Sequence, residues 1–149
     1  MKNILLIGCG HMGGSLMSGW SNSKNYTISV IDKKKYSILK KRNRNKKIKF
    51  FKSIDDINNQ NNFDYIIFAT RPLELTNVFK ELKNVNFNKK SIAISVIAGK
   101  KTEIFRNNLL NISKIVRVMP NMPALIGEGV HCIYTNKSVS RKEIKEIDK

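Results

Sequence analysis

A chain of 149 residues, 41% of them hydrophobic, can build one domain with its own core and leaves no room for a second of similar size. The formal charge of +17 invites a nucleic-acid partner, because Lys and Arg that neutralise phosphates drive such binding. That partner is set aside: no recognition motif accompanies the charge, and lysine, asparagine and isoleucine all have A/T-rich codons, so base composition alone yields the same excess.

The first twenty residues organise the rest. An apolar run from Ile4 to Ile7 enters a turn carrying Gly8, Gly10 and Gly13, and a helical pattern leaves it through Met12, Leu16, Met17 and Trp20. Strand, glycine turn and helix in that order suit a dinucleotide. Gly8 permits the tight turn, Gly10 lets a pyrophosphate approach the backbone, and Gly13 lets the helix pack closely on the strand. Leu6-Ile7-Gly8-Cys9 looks like a lipoprotein cleavage site, but Ile4 to Ile7 falls short of the about 7 to 15 apolar residues a signal needs. No run approaches the roughly 20 apolar residues of a membrane span. Cys9 and Cys132 sit in no C-x-x-C or metal-ligand spacing, which fits a reduced, cytoplasmic setting and no metal site.

Tyr26 to Asp32 reads as a second strand, with Ile28, Val30 and Ile31 buried, and so ends in a carboxylate. Asp32 follows Gly13 at close to the ~20-residue spacing where a carboxylate meets the adenosine ribose; capping the next helix is an equally good use of it. The carboxylate favours NAD, whereas Lys33, Lys34 and Lys35 just after it favour the 2′-phosphate of NADP. Tyr36 to Lys47 is a basic surface helix or helix plus loop anchored by Ile38 and Leu39, Ile48 to Phe51 a short edge strand, and Ser53 to Ile57 a capped helical turn with Asp56 at the capping-box offset. Asn58 to Asn62 is a polar loop.

Phe63 to Ala69 suits a central parallel strand covered on both faces, and Thr70-Arg71-Pro72 follows at the carboxyl end, where ligands bind in open α/β sheets. Pro72 is also an ordinary helix opener. Leu73, Leu75, Val78, Phe79 and Leu82 then form one helix face. Ser91 to Ile97 is the next buried strand, closed by Ala98 and Gly99, which serve either the close approach of a flat ring or a plain turn. An amphipathic helix begins at Thr102, and Lys114 to Met119 is the last clear parallel strand. Pro120 and Pro123 bracket Asn121 in a stiff loop, each holding its preceding residue extended. Val130 to Thr135 adds a strand of antiparallel or other sense, completing a dinucleotide-binding domain over residues 1–135. Residues 136–149 begin a charged helix, from Arg141, with Ile144 and Ile147 as a narrow apolar stripe.

Four segments together resemble the pyrroline-5-carboxylate reductase family. Ile7-Gly-Cys-Gly-His-Met-Gly13 is similar to its glycine turn, Ala69-Thr-Arg-Pro72 to its Val-Lys-Pro, and Ile94-Ser-Val-Ile-Ala-Gly99 to its Ser-x-Ala-Ala-Gly strand. Arg117-Val-Met-Pro-Asn-Met-Pro-Ala124 resembles Arg-x-Met-Pro-Asn-Thr-Pro and is the specific match. The resemblance implies a Rossmann-like α/β fold, an open and mostly parallel sheet with helices on both faces, and hydride transfer from NAD(P)H to the imine of 1-pyrroline-5-carboxylate, giving L-proline. It favours NADP(H), with NAD(H) kept open by Asp32. It assigns Ile7, Gly8, Cys9, Gly10, His11, Met12 and Gly13 to the pyrophosphate, Asp32 and Lys33 to the adenosine end, Ala69, Thr70, Arg71 and Pro72 with Val96, Ile97 and Ala98 to the nicotinamide side, and Asn121 to the substrate. It needs no nucleophile and no metal, because a protonated imine is already electrophilic and alignment does most of the work.

This sequence departs from the family's pattern at His11, where Asn or Gln is usual, at Gly14-Ser15, at Arg71 in place of lysine and at Met122 in place of threonine. His11 suits a phosphate contact or an exposed turn equally. Family members continue into a helical domain that forms a dimer and shapes the imino-acid pocket, so the expectation is a truncated form that binds the dinucleotide and turns over weakly or not at all. A non-catalytic dinucleotide-binding module, or the cofactor domain of another imine or keto-acid reductase, are the alternatives.

Overall fold

Parallel strands that are buried on both faces must be apolar at every position, not every second one. That is the pattern of β4 (Tyr65–Phe68) and β5 (Ile92–Ser95), in which every residue is buried. A computed structural model describes residues 1–57, 62–109, 111–120 and 131–148. It places these strands in a seven-stranded sheet with β1 (Lys2–Ile7), β2 (Tyr26–Ile31), β3 (Ile48–Phe51), β6 (Lys114–Pro120) and β7 (His131–Thr135), in the order β3-β2-β1-β4-β5-β6-β7. All neighbours run parallel except β6 and β7, which pair antiparallel with Arg117 opposite Tyr134. The fold is the Rossmann-like α/β arrangement expected.

The period of two in each strand divides the core. Leu5, Ile7, Ile66, Phe68, Ala93 and Ile115 face one side, and Ile4, Leu6, Ile28, Val30, Ile67 and Val116 the other. Helices α3 (Leu75–Leu82) and α4 (Thr102–Asn108) cover the first side, where Phe68, Phe79 and Phe105 meet with ring centroids 5.1 to 6.0 Å apart. On the second side lie α1 (His11–Ser21), through Leu16, Met17 and Trp20, α2 (Tyr36–Arg42), through Leu39, and α5 (Arg141–Ile147), through Ile144 and Ile147. At eight residues α3 is below the ~12–15 at which a lone helix holds in water. Its buried Leu75, Val78, Phe79 and Leu82, each contributing roughly 1.5–3 kcal/mol of burial, fix it instead.

Three local expectations change. Leu73 is 93% exposed and stands outside α3. Two positions before Leu75 is about 200° round a helix, so both could not share a face. Ser53 to Ile57 forms turns, not a helix, although the Asp56 carboxylate does accept from the Ser53 and Lys52 N–H groups at 2.9 and 3.1 Å. Ile38, expected as an anchor of the basic segment, is 55% exposed, and Leu39 packs on the core without it; of the two readings of that segment, helix plus loop holds, the helix ending at Arg42 and Asn43 then donating to the carbonyls of Asn45 and Ile48.

The chain runs outward from β1 through β2 to β3, then returns to lay β4 on the other side of β1. The reversal opens a crevice at the carboxyl ends of β1 and β4, where Ile7 pairs with Phe68.

Candidate functional site

Each glycine of the first turn meets a different constraint. Gly8 has φ of +92°, and a Cβ there would lie 2.8 Å from both the Ala69 carbonyl oxygen and the Thr70 nitrogen. A Cβ on Gly13 would stand 2.1 Å from the Gly8 oxygen, so α1 can approach β1 only without that atom. Gly10 is different. Its φ of −71° suits any residue, and a Cβ there would meet nothing within 4 Å. The fold requires glycine at Gly8 and Gly13; nothing in the fold requires it at Gly10.

Gly10 is also the N-cap of α1, and it supplies no side-chain cap. The helix has no acidic residue in its first turn, so its leading N–H groups face the crevice with their partial positive charge uncompensated by a side chain. A backbone cradle at a helix N-terminus suits a phosphate-bearing ligand. A second feature points the same way: the Thr70 hydroxyl, at the carboxyl end of β4 beside Gly8, is buried with no hydrogen-bond partner. A buried orphaned hydroxyl costs about 1–3 kcal/mol, which a ligand acceptor would recover.

Asp32 is occupied by the protein itself. One carboxylate oxygen accepts from the Cys9 N–H at 2.8 Å, and the other accepts from the N–H groups of Lys35 and Lys34 at 2.9 and 3.1 Å. Three of its roughly four acceptor positions are filled, so it ties the glycine turn to the turn after β2. Lys35 reinforces the tie by donating its ammonium to the Cys9 carbonyl at 3.0 Å. The Cys9 thiol is buried, and that burial, aided by Asp32, pushes its pKa up, which leaves a neutral thiol and no nucleophile.

The sequence-derived residues separate into those whose side chains reach the crevice and those that can offer only backbone. Ile7 and Ile97 are each 2% exposed and belong to the core under α3 and α4. His11, Lys33, Arg71, Pro72 and Ala98 are exposed at the carboxyl edge, and Met12, Ala69 and Val96 are half-buried there. The loops bearing them are stitched together, with the Ala69 N–H donating to the Ile7 carbonyl at 2.9 Å and the Val96 N–H to that of Phe68 at 3.1 Å. Asn121 lies outside the described residues. Among the described residues no three His, Cys, Asp or Glu side chains converge as a metal site, and no helix is long and apolar enough to cross a membrane.

Glu74 is a residue that sequence reasoning missed. Its carboxylate accepts from Lys34 at 2.7 Å and from Arg71 at 3.1 Å, so the Arg71 guanidinium is drawn toward the loop after β2. The three-residue spacing of Arg71 and Glu74 was open to view; the approach of Lys34 depends on the fold.

A family model described as "NADP oxidoreductase coenzyme F420-dependent" matches residues 3–99. The pyrroline-5-carboxylate reductase of Haemophilus influenzae is 34% identical over 97 residues, 61% of this chain and 35% of that enzyme. That of Methanosarcina acetivorans is 28% identical over 144 residues, 97% of this chain and 53% of the enzyme. The chain thus spans about half or less of the curated relatives it matches. The crystal structure of a Plasmodium falciparum pyrroline carboxylate reductase with NADP bound superposes with a TM-score of 0.69 at 24% identity, over 99% of this chain and 52% of that one, a likeness of fold. With the family match covering well over half of its length, the chain belongs to the NADP oxidoreductase, coenzyme F420-dependent, family.

Proposed function

We propose that this chain is the cofactor-binding part of a reductase that transfers hydride from NAD(P)H to the ring imine of 1-pyrroline-5-carboxylate, giving L-proline. The observation that carries the cofactor half is Gly10, a glycine with open space where its side chain would be, at the head of an uncapped helix. The substrate half is supported by relatives named for that reaction and by the Met119 to Pro123 segment.

In this reading the leading N–H groups of α1, at His11, Met12 and Gly13, face the pyrophosphate, while Gly8, Cys9 and Gly10 shape the turn that lets it approach, the Gly8 and Cys9 N–H groups being bound to the Ile31 carbonyl and to Asp32. Asp32 holds Cys9 in place for that task and leaves little capacity for ribose hydroxyls, so the lysines after it, with Lys33 foremost, tip the preference toward NADP(H). Thr70 offers its hydroxyl to the ligand; Ala69 and Pro72, with Val96, Ala98 and the backbone of Ile97, line the crevice further along, Arg71 is turned through Glu74 toward the adenosine end, and Asn121 borders the substrate. When bound, the reduced nicotinamide supplies the hydride. The protein's part is alignment in a site shielded from water, which is enough for an imine that is electrophilic once protonated. The setting is cytoplasmic.

Fluorescence titration of NADPH into the 149-residue chain tests the first half, and saturable binding is the expected result. For the second half, NADPH oxidation and proline formation are followed with 1-pyrroline-5-carboxylate, with the C-terminal part of the Methanosarcina enzyme supplied. Absence of binding overturns the cofactor assignment; binding without proline in the supplemented mixture overturns the substrate.

A further inference from the structure

Glu74 occupies the N-cap position of α3, yet its side chain caps nothing in that helix. One oxygen, Oε1, instead accepts from Lys34 Nζ and Arg71 Nη2 together. Lys34 follows β2 and Arg71 follows β4, the two strands that flank β1, so the bridge runs between loops on either side of the glycine turn. The hydrogen bond from Lys34 is the main cause that holds the Glu74 carboxyl below its ordinary pKa, and it is an anion at neutral pH. Two cations from separate loops converging on one oxygen make an anion site, and here the anion is internal.

We propose that Glu74 is a specificity-determining residue: its carboxylate takes the place that the 2′-phosphate of NADP(H) would take between Lys34 and Arg71, and so moderates the preference for the phosphorylated cofactor. This rests on the dinucleotide reading above. Of the other charged groups at that end, Asp32 serves three backbone donors and Lys35 the Cys9 carbonyl, which leaves exposed Lys33 as a further cation beside the bridge. Both cations are largely exposed, 70% for Lys34 and 73% for Arg71, and such pairs are weakly held. Exchange of partners is therefore easy. What persists after the exchange is repulsion between Glu74 and a phosphate carrying about −1.5 to −2 charges. NADH has no group to contest the site.

The test is the ratio of dissociation constants for NADH and NADPH, measured by fluorescence titration at low salt on the 149-residue chain. Glu74→Gln should move the ratio toward NADPH by about fivefold, the scale of an exposed ion pair, while Lys34→Gln and Arg71→Gln should each move it toward NADH by a similar factor. Added salt should compress all three differences. A ratio unmoved by Glu74→Gln, or moved toward NADH, overturns this inference and leaves the cofactor assignment standing. Failure of the unsubstituted chain to bind either cofactor removes both.

Discussion

The two ends of the sheet use their polar groups in opposite ways. At the amino ends of β1, β4 and β5, a cavity of about 280 Å³ is lined by Lys2, Asp64, Tyr65, Lys90, Glu143 and Glu146 among others. Its carboxylates are all partnered: Asp64 by Lys2 at 3.1 Å, Glu143 by Lys114 at 2.5 Å, and Glu146 by the Tyr65 hydroxyl, which donates at 3.3 Å. The carboxyl end keeps an uncapped helix, a glycine that the fold does not need and a buried hydroxyl without a partner. Mutual pairing marks the end that is self-sufficient, and unfinished hydrogen bonding marks the end proposed above to take the ligand.

The contrast breaks most sharply within the glycine turn. Gly13→Ala forces a Cβ against the Gly8 oxygen and should destabilise the chain by about 3 kcal/mol or more, the upper range for overpacking, with cofactor binding lost along with it. Gly10→Ala adds the same methyl to open space. It should leave the unfolding free energy within about 0.5 kcal/mol and still weaken NADPH at least about tenfold, or about 1.4 kcal/mol. Denaturant unfolding and cofactor titration on the two variants separate the roles. Equal stability losses would erase the distinction between a glycine for packing and a glycine for a ligand.

Thr70→Val sharpens the comparison with a smaller effect. Removing an orphaned hydroxyl while keeping the shape should leave stability unchanged or raise it by up to about 1 kcal/mol, and should weaken NADPH by a few-fold, which unfolding and binding measured side by side will show. A loss of stability would mean that the hydroxyl already serves the fold.

Much of this arrangement was legible in the sequence because it rests on what side chains lack or on unbroken apolar runs. Gly8, Gly10 and Gly13 announce a turn with no Cβ, and the run through β4 cannot be anything half-exposed. The sense of β7, left open by the sequence, is antiparallel. Spacing could not say how Asp32 would divide its oxygens, because ribose contact and capping call for the same residue at the same place; the fold turns it onto Cys9, Lys34 and Lys35. Nor could it find Glu74 beside Lys34, since the pairing requires β2 and β4 to flank β1. Leu73 was misplaced because apolar character was counted without its angle round the helix.

The smallest effect probes the self-sufficient end. Glu143 is held at a pKa of about 2, first by the hydrogen bond from Lys114 and then by the Ser140 N–H, in a capping box that opens α5. A folded pKa below the ordinary 4.5 means that the stabilisation is complete above about pH 4.5 and disappears as pH falls through about 2. The pair stands near the surface, where solvent screening limits it to about 1 kcal/mol. Glu143→Gln keeps the capping-box geometry and removes the charge. The variant should therefore be about 1 kcal/mol less stable than the parent at pH 6 and converge on it by pH 2 in urea unfolding. A gap that stays constant with pH would assign the contribution of Glu143 to shape rather than charge, and the amino end would lose its claim to electrostatic closure.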